Sequence, residues 1–194
     1  MGILFLVGAR ASGKTTIGKA LARSLGLPFA DTDQHLLQGA GLTVEQIVAA
    51  EGWPGFRKRE SLALREVADA HPAGCVVSTG GGMVLAGENR QLMQQRGMVV
   101  FLDAPAQTLA ERLSRNPINN QRPSLTGKGL IEEIGQILDE RRRLYEEAAH
   151  HSVDASRPMA AVCREIVELW KSRNHSNQNP SGRNPPNRNP SGHA

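Results

Sequence analysis

The sequence has few cysteines and no long hydrophobic run. Of its 194 residues only Cys75 and Cys163 are cysteines, one in an apolar, strand-like run and one in a helical pattern. Neither their number nor their spacing predicts a disulfide framework or a metal site, and we expect both to be buried thiols. No apolar run approaches the roughly 20 residues that cross a bilayer, and residues 3–7 are too short and lack the basic flank of a signal peptide. These absences predict a cytoplasmic protein with no membrane partner.

The body of the chain has no excess of charge of either sign. The formal net charge is +4, and no acidic residue follows Glu168. Four residues close to the C-terminus supply the whole excess: Lys171, Arg173, Arg183 and Arg188. A neutral body with a few dispersed charges behind it argues against a nucleic-acid-binding face.

What the sequence does contain is a phosphate-binding loop, Gly8-Ala9-Arg10-Ala11-Ser12-Gly13-Lys14-Thr15. It lies between the apolar run at 3–7 and a helical pattern that begins near Lys14. The glycines let the backbone curl so that N–H groups converge on a phosphate, and the helix N-terminus adds partial positive charge. Lys14 would reach the β- and γ-phosphates, and the hydroxyl of Thr15 would ligate Mg²⁺. The pattern predicts nucleoside triphosphate binding by Ala11, Ser12, Gly13, Lys14, Thr15 and Thr16.

Short apolar runs alternate with helical patterns along the rest of the chain. Strands are predicted at 3–7, 28–33, 75–79, 98–102 and 152–154, and helices at 14–25, 43–52, 57–70, from 105, at 130–149 and at 159–171. Alternation of this kind specifies parallel pairing with right-handed crossovers. We therefore predict an α/β fold of the P-loop kinase type, with a mostly five-stranded parallel sheet flanked by helices, in one domain over residues 1–171.

Two segments lack such periodicity. From about 114 to 129 the pattern is lost among Asn, Pro, Gly and charged residues, which is typical of a mobile lid, with Gly127 and Gly129 as hinge positions. Residues 172–194 are polar and repeat Asn-Pro-Ser-Gly. Because such a segment cannot bury enough apolar surface to fold, we predict a disordered tail there.

Several polar residues and glycines follow directly after predicted strands. Asp31 and Asp33 end the second strand, and three consecutive glycines, Gly80, Gly81 and Gly82, end the third. Ligands of an open parallel sheet bind beyond the carboxyl ends of its strands, so these residues should share one crevice with the phosphate loop. If the chain is still extended at 31–33, both carboxylates project from the same side.

Two arginines fit the same crevice. Arg141 falls within the apolar stripe of the helix at 130–149, and Arg57 opens the helix at 57–70, where its charge opposes the helix dipole. Acids, backbone amides and guanidinium groups together suit a small acceptor that carries hydroxyls and an anionic group. Plainer interpretations stay open at this stage. Asp31 and Asp33 are also typical of turns and helix caps, and Arg57 and Glu60 of surface charge and structural ion pairs.

The conjunction of these motifs resembles the shikimate kinase family. Behind the phosphate loop come Asp31-Thr32-Asp33, then Gly52-Trp53-Pro54-Gly55-Phe56-Arg57-Lys58-Arg59-Glu60, the triple glycine, Arg122-Pro123-Ser124-Leu125 and Arg141-Arg142-Arg143-Leu144-Tyr145. The likeness spans about residues 3–170 and is greatest to the enterobacterial type-II members. It implies ATP-dependent phosphorylation of the shikimate 3-hydroxyl, giving 3-phosphoshikimate and ADP on the route to chorismate and the aromatic amino acids. It also implies a monomer with Mg²⁺ as cofactor.

The resemblance also implies a role for each matching residue. Thr15 and Asp31 would organise Mg²⁺, and Asp33 would accept hydrogen bonds from the shikimate hydroxyls. Arg57 and Arg141 would hold the carboxylate, helped by Glu60 and by the glycines Gly80, Gly81 and Gly82. Lys14 and Arg122 would stabilise the transferring phosphoryl group. Arg112 and Arg157 would line the adenine.

Two rival functions differ from this reading in sequence features. A kinase of another small hydroxy acid, such as gluconate, shares the scaffold but should lack the paired Asp, Phe-Arg and triple-glycine set. A noncatalytic nucleotide-binding module of the guanine-reading kind would need an Asn-Lys-x-Asp segment, which is absent. One departure from many P-loop enzymes is Ser78, which stands where an Asp often holds Mg²⁺, so the metal depends more on Asp31.

Overall fold

A five-stranded parallel sheet organises the computed structural model, which describes residues 2–115 and 130–178. The strands are Ile3–Val7 (β1), Phe29–Asp31 (β2), Val76–Ser78 (β3), Gly97–Asp103 (β4) and His151–Asp154 (β5), in the order β2-β3-β1-β4-β5. β1 is central, with Leu6 paired to Ser78 on one side and to Val100 on the other. The predicted fold class is confirmed, and the phosphate loop leaves the middle of the sheet, where the strand order switches direction.

Seven helices connect and cover these strands in the described part of the chain. They are Lys14–Leu25 (α1), Thr32–Ala40 (α2), Val44–Ala70 (α3), Gly87–Arg96 (α4), Ala106–Arg115 (α5), Leu130–Ala148 (α6) and Met159–Gln178 (α7). The helices α2 and α4 have no counterpart among the predicted elements. α4 is polar along most of its length, with only Asn89 and Met93 buried, so it offers little periodicity to read.

The sheet is buried on both faces, as parallel sheets with flanking helices are. Leu4 and Leu6 of β1 pack with α1, α5, α6 and α7, whereas Ile3, Phe5 and Val7 pack with α3, α4 and the end of α6. A third, smaller cluster lies between α2 and α3 and contains Leu36, Val44, Ile47, Phe56 and Ala63. The segment that carries Asp33, Arg57 and Glu60 therefore has an apolar core of its own.

The start of α3 confirms one local prediction and corrects another. The predicted start of a helix at 43 is confirmed by a capping box, in which Thr43 Oγ1 accepts from Gln46 N at 3.2 Å and Gln46 Oε1 accepts from Thr43 N at 2.8 Å. The predicted break near Gly52 is a kink, with φ +68°, but helix resumes at once rather than at Arg57. Pro54 lies in that first turn, where its missing N–H costs nothing. Arg57 is therefore one turn inside the helix.

The predicted boundary of the C-terminal tail is wrong by seven residues. α7 continues from Lys171 through 172–178, although the tail was expected to be disordered from 172. The first proline of that segment is Pro180, and a helix ends readily just before the residue that precedes a proline. Residues 179–194, the predicted lid at 116–129 and its hinges Gly127 and Gly129 lie outside the described residues.

Of the two cysteines that we expected to be buried, only one is fully buried. Cys75 is fully buried, and burial raises the pKa of its thiol to about 11, whereas Cys163 is only partly buried. None of the helices within 2–115 and 130–178 combines the length and apolarity needed to span a membrane.

The link between α6 and β5 predicts a pH-dependent stability. His150 Nδ1 accepts from Val99 N at 3.0 Å, and His150 N donates to Val99 O at 2.8 Å. Burial, with Arg173 and His151 nearby, lowers the pKa of His150. The unfolded chain then takes up a proton at a higher pH than the folded one. The contribution of His150 to the free energy of unfolding is therefore fully present above the unfolded pKa of about 6.5 and is lost as the pH falls below it.

We expect the melting temperature to fall between pH 7.5 and pH 5.5, and His150→Gln to make that fall smaller. The glutamine side chain can still accept from Val99 N but does not titrate. His175→Gln, at an exposed position of α7, is the matched control and should leave the fall unchanged. An equal fall in wild type and His150→Gln would assign the pH dependence to other groups.

Candidate active site

The phosphate loop holds a conformation that favours close approach of a ligand to its backbone. Gly13, the last residue before α1, has φ +96°, and Ala11 has φ +60°, a left-handed value uncommon for a residue with a side chain. Lys14 Nζ donates to Gly8 O at 2.8 Å and to Ala9 O at 2.7 Å. The ammonium group is therefore already held over the loop, where a phosphate would bind.

Three oxygen-bearing side chains lie together at the N-terminus of α1. Thr15 Oγ1 donates to Asp31 Oδ2 at 2.9 Å and lies 3.3 Å from Ser78 Oγ. Asp31 also caps α2, because its Oδ1 accepts from Asp33 N at 3.1 Å and from Gln34 N at 3.3 Å. Hard oxygen donors are the ligands that Mg²⁺ takes, usually one or two carboxylates completed by substrate phosphates and water. The residues thus fit a magnesium ion bound together with a nucleotide.

Asp31 combines the contacts of a helix cap with a contact to the phosphate loop. One carboxylate oxygen stabilises α2, and the other faces the phosphate loop. The conditional expectation of an extended chain at 31–33 is wrong, since α2 begins at Thr32. Asp33 therefore projects from the first turn of a helix and not from a strand.

A cavity of about 460 Å³ joins these groups. It extends from the phosphate loop to the third strand end and to the segment after β5. Among the residues that line it are Lys14, Thr15, Thr16, Asp31, Asp33, Gly81, Arg112 and Arg157. One continuous space therefore connects the loop with an acid that follows β2 and with the triple glycine that follows β3.

The triple glycine lies against the side chains of α2 and α3. A Cβ atom added to Gly80 would lie 2.6 Å from Asp33 Oδ1 and 2.8 Å from Glu60 Oε1, and one added to Gly82 would lie 1.9 Å from Arg57 Nη1. Any side chain at these positions would push the acid or the guanidinium away. Glycine is needed here because of close packing, and a backbone that no side chain shields can approach a ligand.

Arg57 is held by an acidic side chain and by two neighbouring aromatic rings. It pairs with Glu60, which is 1% exposed, and its Cζ lies 5.4 Å from the Trp53 ring centroid and 5.6 Å from that of Phe56. Two aromatic faces and an acid hold a planar cation in one orientation. Trp53 and Phe56 thus contribute to the environment of Arg57.

Arg141 also contacts the triple glycine. Its Nη1 donates to Gly81 O at 3.4 Å, and its Nε is buried without a hydrogen-bond acceptor in the described part of the chain. One turn later Tyr145 OH donates to the same carbonyl at 2.6 Å. The neighbouring Arg142 makes a two-point ion pair with Asp103 at 2.6 and 3.0 Å.

The two arginines expected near the adenine line the far end of the cavity. Arg112 Nη2 donates to Ala155 O at 2.7 Å, and Arg157 donates to Asp154 O at 3.2 Å while pairing with Glu165. Both therefore border the turn after β5. Arg122, predicted to act from the lid, lies outside the described residues.

Sequence reasoning gave no role to two further residues of this region. Thr32 Oγ1 accepts from Gly80 N at 3.1 Å, and Tyr145 bonds Gly81 O. Thr32 lies between two acidic residues that are stronger candidates, and Tyr145 has the helical spacing of a core residue of α6. The only signal in the sequence was that both belong to motifs already singled out.

Comparison with known proteins gives a consistent result. The family model for shikimate kinase matches residues 10–171. The Shikimate kinase 2 of Syntrophotalea carbinolica is 52% identical over 170 residues, covering 88% of this chain and 97% of that protein. The Shikimate kinase 2 of Sodalis glossinidius is 54% identical over 165 residues, covering 85% and 93%.

Solved structures show the same likeness. The shikimate kinase from Acinetobacter baumannii in complex with shikimate has a TM-score of 0.80 at 33% identity, covering 89% of this chain and 94% of that one. A gluconokinase from Sinorhizobium meliloti has a TM-score of 0.55 at 21% identity, covering 90% and 97%, which shows a shared fold alone.

Proposed function

Because the chain belongs to the shikimate kinase family and transfers a phosphoryl group from ATP to shikimate, we propose that its residues divide this reaction between a nucleotide side and an acceptor side. The nucleotide side is the phosphate loop with Thr15 and Asp31. The acceptor side is the triple glycine with Asp33, Arg57 and Arg141. The cavity that connects the phosphate loop with Asp33 and Gly81 supports this division.

On the nucleotide side, the backbone of the loop and the N-terminus of α1 bind the phosphates of ATP. Lys14 exchanges its contacts with Gly8 O and Ala9 O for the β- and γ-phosphates and offsets the charge that develops there. Thr15, Asp31 and Ser78 would hold Mg²⁺, which would supply further charge stabilisation to the phosphates. Arg112 and Arg157 border the adenine.

On the acceptor side, Arg57 and Arg141 bind the carboxylate of shikimate. The observation that carries this assignment is their convergence: Arg57 lies against Gly82 and Arg141 against Gly81, although the two arginines are 84 positions apart in the chain. Guanidinium groups match a planar carboxylate with two parallel hydrogen bonds. Glu60 keeps Arg57 in position through their ion pair.

Asp33 faces the hydroxyl end of the acceptor. Its carboxylate is next to Gly80 and lines the cavity that also contains Lys14. Phosphoryl transfer passes through a loose transition state, so the protein contributes alignment and charge stabilisation. Asp33 holds the 3-hydroxyl in line with the terminal phosphate and takes its proton as the new P–O bond forms.

Other expectations stay predictions. The monomeric state is one of them. The action of Arg122 over the phosphoryl group is implied by the family resemblance. The cytoplasmic location is predicted from the sequence.

The acceptor assignment predicts a selective loss of shikimate affinity. Arg141→Ala should raise KM for shikimate about 10- to 100-fold, the range for losing a hydrogen bond to a charged group, while KM for ATP stays within about twofold. Arg143→Ala is a matched control two residues further along α6, because Arg143 is 87% exposed and pairs only with Glu147 among the described residues. ADP release measured against each substrate gives both constants.

Two outcomes would contradict the assignment. Equal increases of both KM values would mean that Arg141 supports the fold and not the acceptor. ADP release that does not depend on added shikimate would remove the acceptor side altogether.

A further inference from the structure

The triple glycine carries six backbone polar groups, and their partners show which of them remain for a ligand. Gly80 N–H donates to Thr32 Oγ1 at 3.1 Å, and Gly80 O accepts from Met83 N at 3.0 Å. Gly81 O accepts from Tyr145 OH at 2.6 Å, and Gly82 O accepts from Leu85 N at 3.0 Å.

The N–H groups of Gly81 and Gly82 remain. Within residues 2–115 and 130–178 neither has a hydrogen-bond acceptor, although both glycines are buried. Gly81 lines the cavity, so a ligand bound there can accept from a backbone N–H that has no protein acceptor. Gly80 N–H is already used, so the predicted role of Gly80 in binding is reduced to making space for Asp33.

The direction of one of these N–H groups depends on Tyr145. A trans peptide places its C=O and N–H on opposite sides of one plane, and the described chain contains no cis peptide. The hydrogen bond from Tyr145 to Gly81 O therefore also fixes where Gly82 N–H points, away from Tyr145. Gly82 is the glycine that lies against the Arg57 guanidinium.

We propose that Tyr145 and Thr32 are positioning residues for the acceptor, which hold the triple glycine from two sides so that the N–H groups of Gly81 and Gly82 bind the carboxylate together with Arg57 and Arg141. The inference rests on the proposed acceptor site, which already includes the glycines, and adds the two side chains that hold these glycines in place.

Tyr145 is well suited to this task. Its side chain is 1% exposed and its ring stacks on Phe101, with centroids 5.0 Å apart and planes 16° from parallel. Burial raises the pKa of Tyr145 to about 12, although the nearby Arg141 opposes the rise. The hydroxyl therefore remains a hydrogen-bond donor at every pH at which the enzyme would work.

Thr32 links the glycines to the two acids. It is 1% exposed and opens α2 directly between Asp31 and Asp33. Its hydrogen bond to Gly80 N joins the end of β3 to the turn that bears both carboxylates. A change at Thr32 therefore alters the position of the glycines relative to Asp33 as well as to Arg57.

The test removes each hydroxyl and keeps the shape of the side chain. Tyr145→Phe retains the stack on Phe101, and Thr32→Val retains the branched volume. Each variant should raise KM for shikimate about five- to tenfold, the effect of one neutral hydrogen bond, and leave KM for ATP within about twofold. Thr32→Ser keeps the hydroxyl and should restore most of the shikimate affinity that Thr32→Val loses.

Melting temperatures separate positioning from packing. If Tyr145→Phe and Thr32→Val lower the melting temperature but leave the ratio of the two KM values at the wild-type level, both residues are structural and the proposal is overturned. The same holds if both KM values rise equally. Arg141→Ala is measured in parallel: a shikimate-specific increase there without one in Tyr145→Phe rejects the positioning role alone, whereas no increase in either rejects the acceptor site itself.

Discussion

Lys14→Met should lower kcat about 100- to 1,000-fold, the cost of removing one preorganised charge that faces the developing negative charge. The ammonium group lies 2.8 Å from Gly8 O and 2.7 Å from Ala9 O, directly over the loop that binds the phosphates. Charge moves onto the terminal phosphate oxygens during the transfer, so the loss should appear in kcat more than in KM for shikimate. Steady-state rates with both substrates saturating measure it.

The variant must also be shown to fold. Lys14 bonds two loop carbonyls, and its replacement could loosen the loop, so melting temperature should be measured beside the rates. Lys19→Met is the matched control, because Lys19 lies on the same helix, is exposed and reaches only the Phe29 ring among the contacts described for it. A kcat near the wild-type value in Lys14→Met, with the fold intact, would remove Lys14 from the catalytic residues.

The phosphate loop and the strands were predictable because they depend on local patterns. Residues 3–7 are buried on both faces of a parallel sheet, so they read as a continuous apolar run, and the glycines that follow them are spaced for a phosphate. The capping box at Thr43 is local in the same sense, since its two hydrogen bonds join residues three apart. The inward placement of Arg141 followed from helical periodicity.

What the sequence did not predict depends on contacts between distant segments. Whether the chain is extended or helical at 31–33 is decided by the cap that Asp31 makes, and no periodicity separates the two outcomes over three residues. The ion pair of Arg142 with Asp103 joins residues 39 positions apart in the chain, so no local pattern indicates it. Tyr145 has the pattern of a core residue, and only the fold brings its hydroxyl to Gly81.

The tail boundary failed for a different reason. Composition indicates whether a segment can form a core of its own, but a helix that already packs on the sheet can extend beyond its last apolar residue. Trp170 is 7% exposed and anchors α7, and the polar residues 172–178 continue the same helix. Composition alone therefore does not predict the residue at which a helix such as α7 ends.

Asp33→Asn should lower kcat about 100- to 10,000-fold, the range for losing a general base, with KM for ATP nearly unchanged. The amide keeps the size of the carboxylate and an oxygen that can accept a hydrogen bond, so it can still orient the shikimate hydroxyl. It cannot take the proton from that hydroxyl at neutral pH. The substitution therefore separates proton transfer from orientation, two roles that the same side chain would otherwise combine.

Asp33→Asn should not disturb the neighbouring Asp31. Its backbone N–H, not its side chain, donates to the Asp31 cap, so the magnesium-binding carboxylate should stay in place. Asp139→Asn on the exposed side of α6 is a control for the loss of one negative charge. If Asp33→Asn keeps most of kcat and only raises KM for shikimate, Asp33 orients the hydroxyl without accepting its proton. The proton would then leave through the phosphoryl oxygens, as a loose transition state permits.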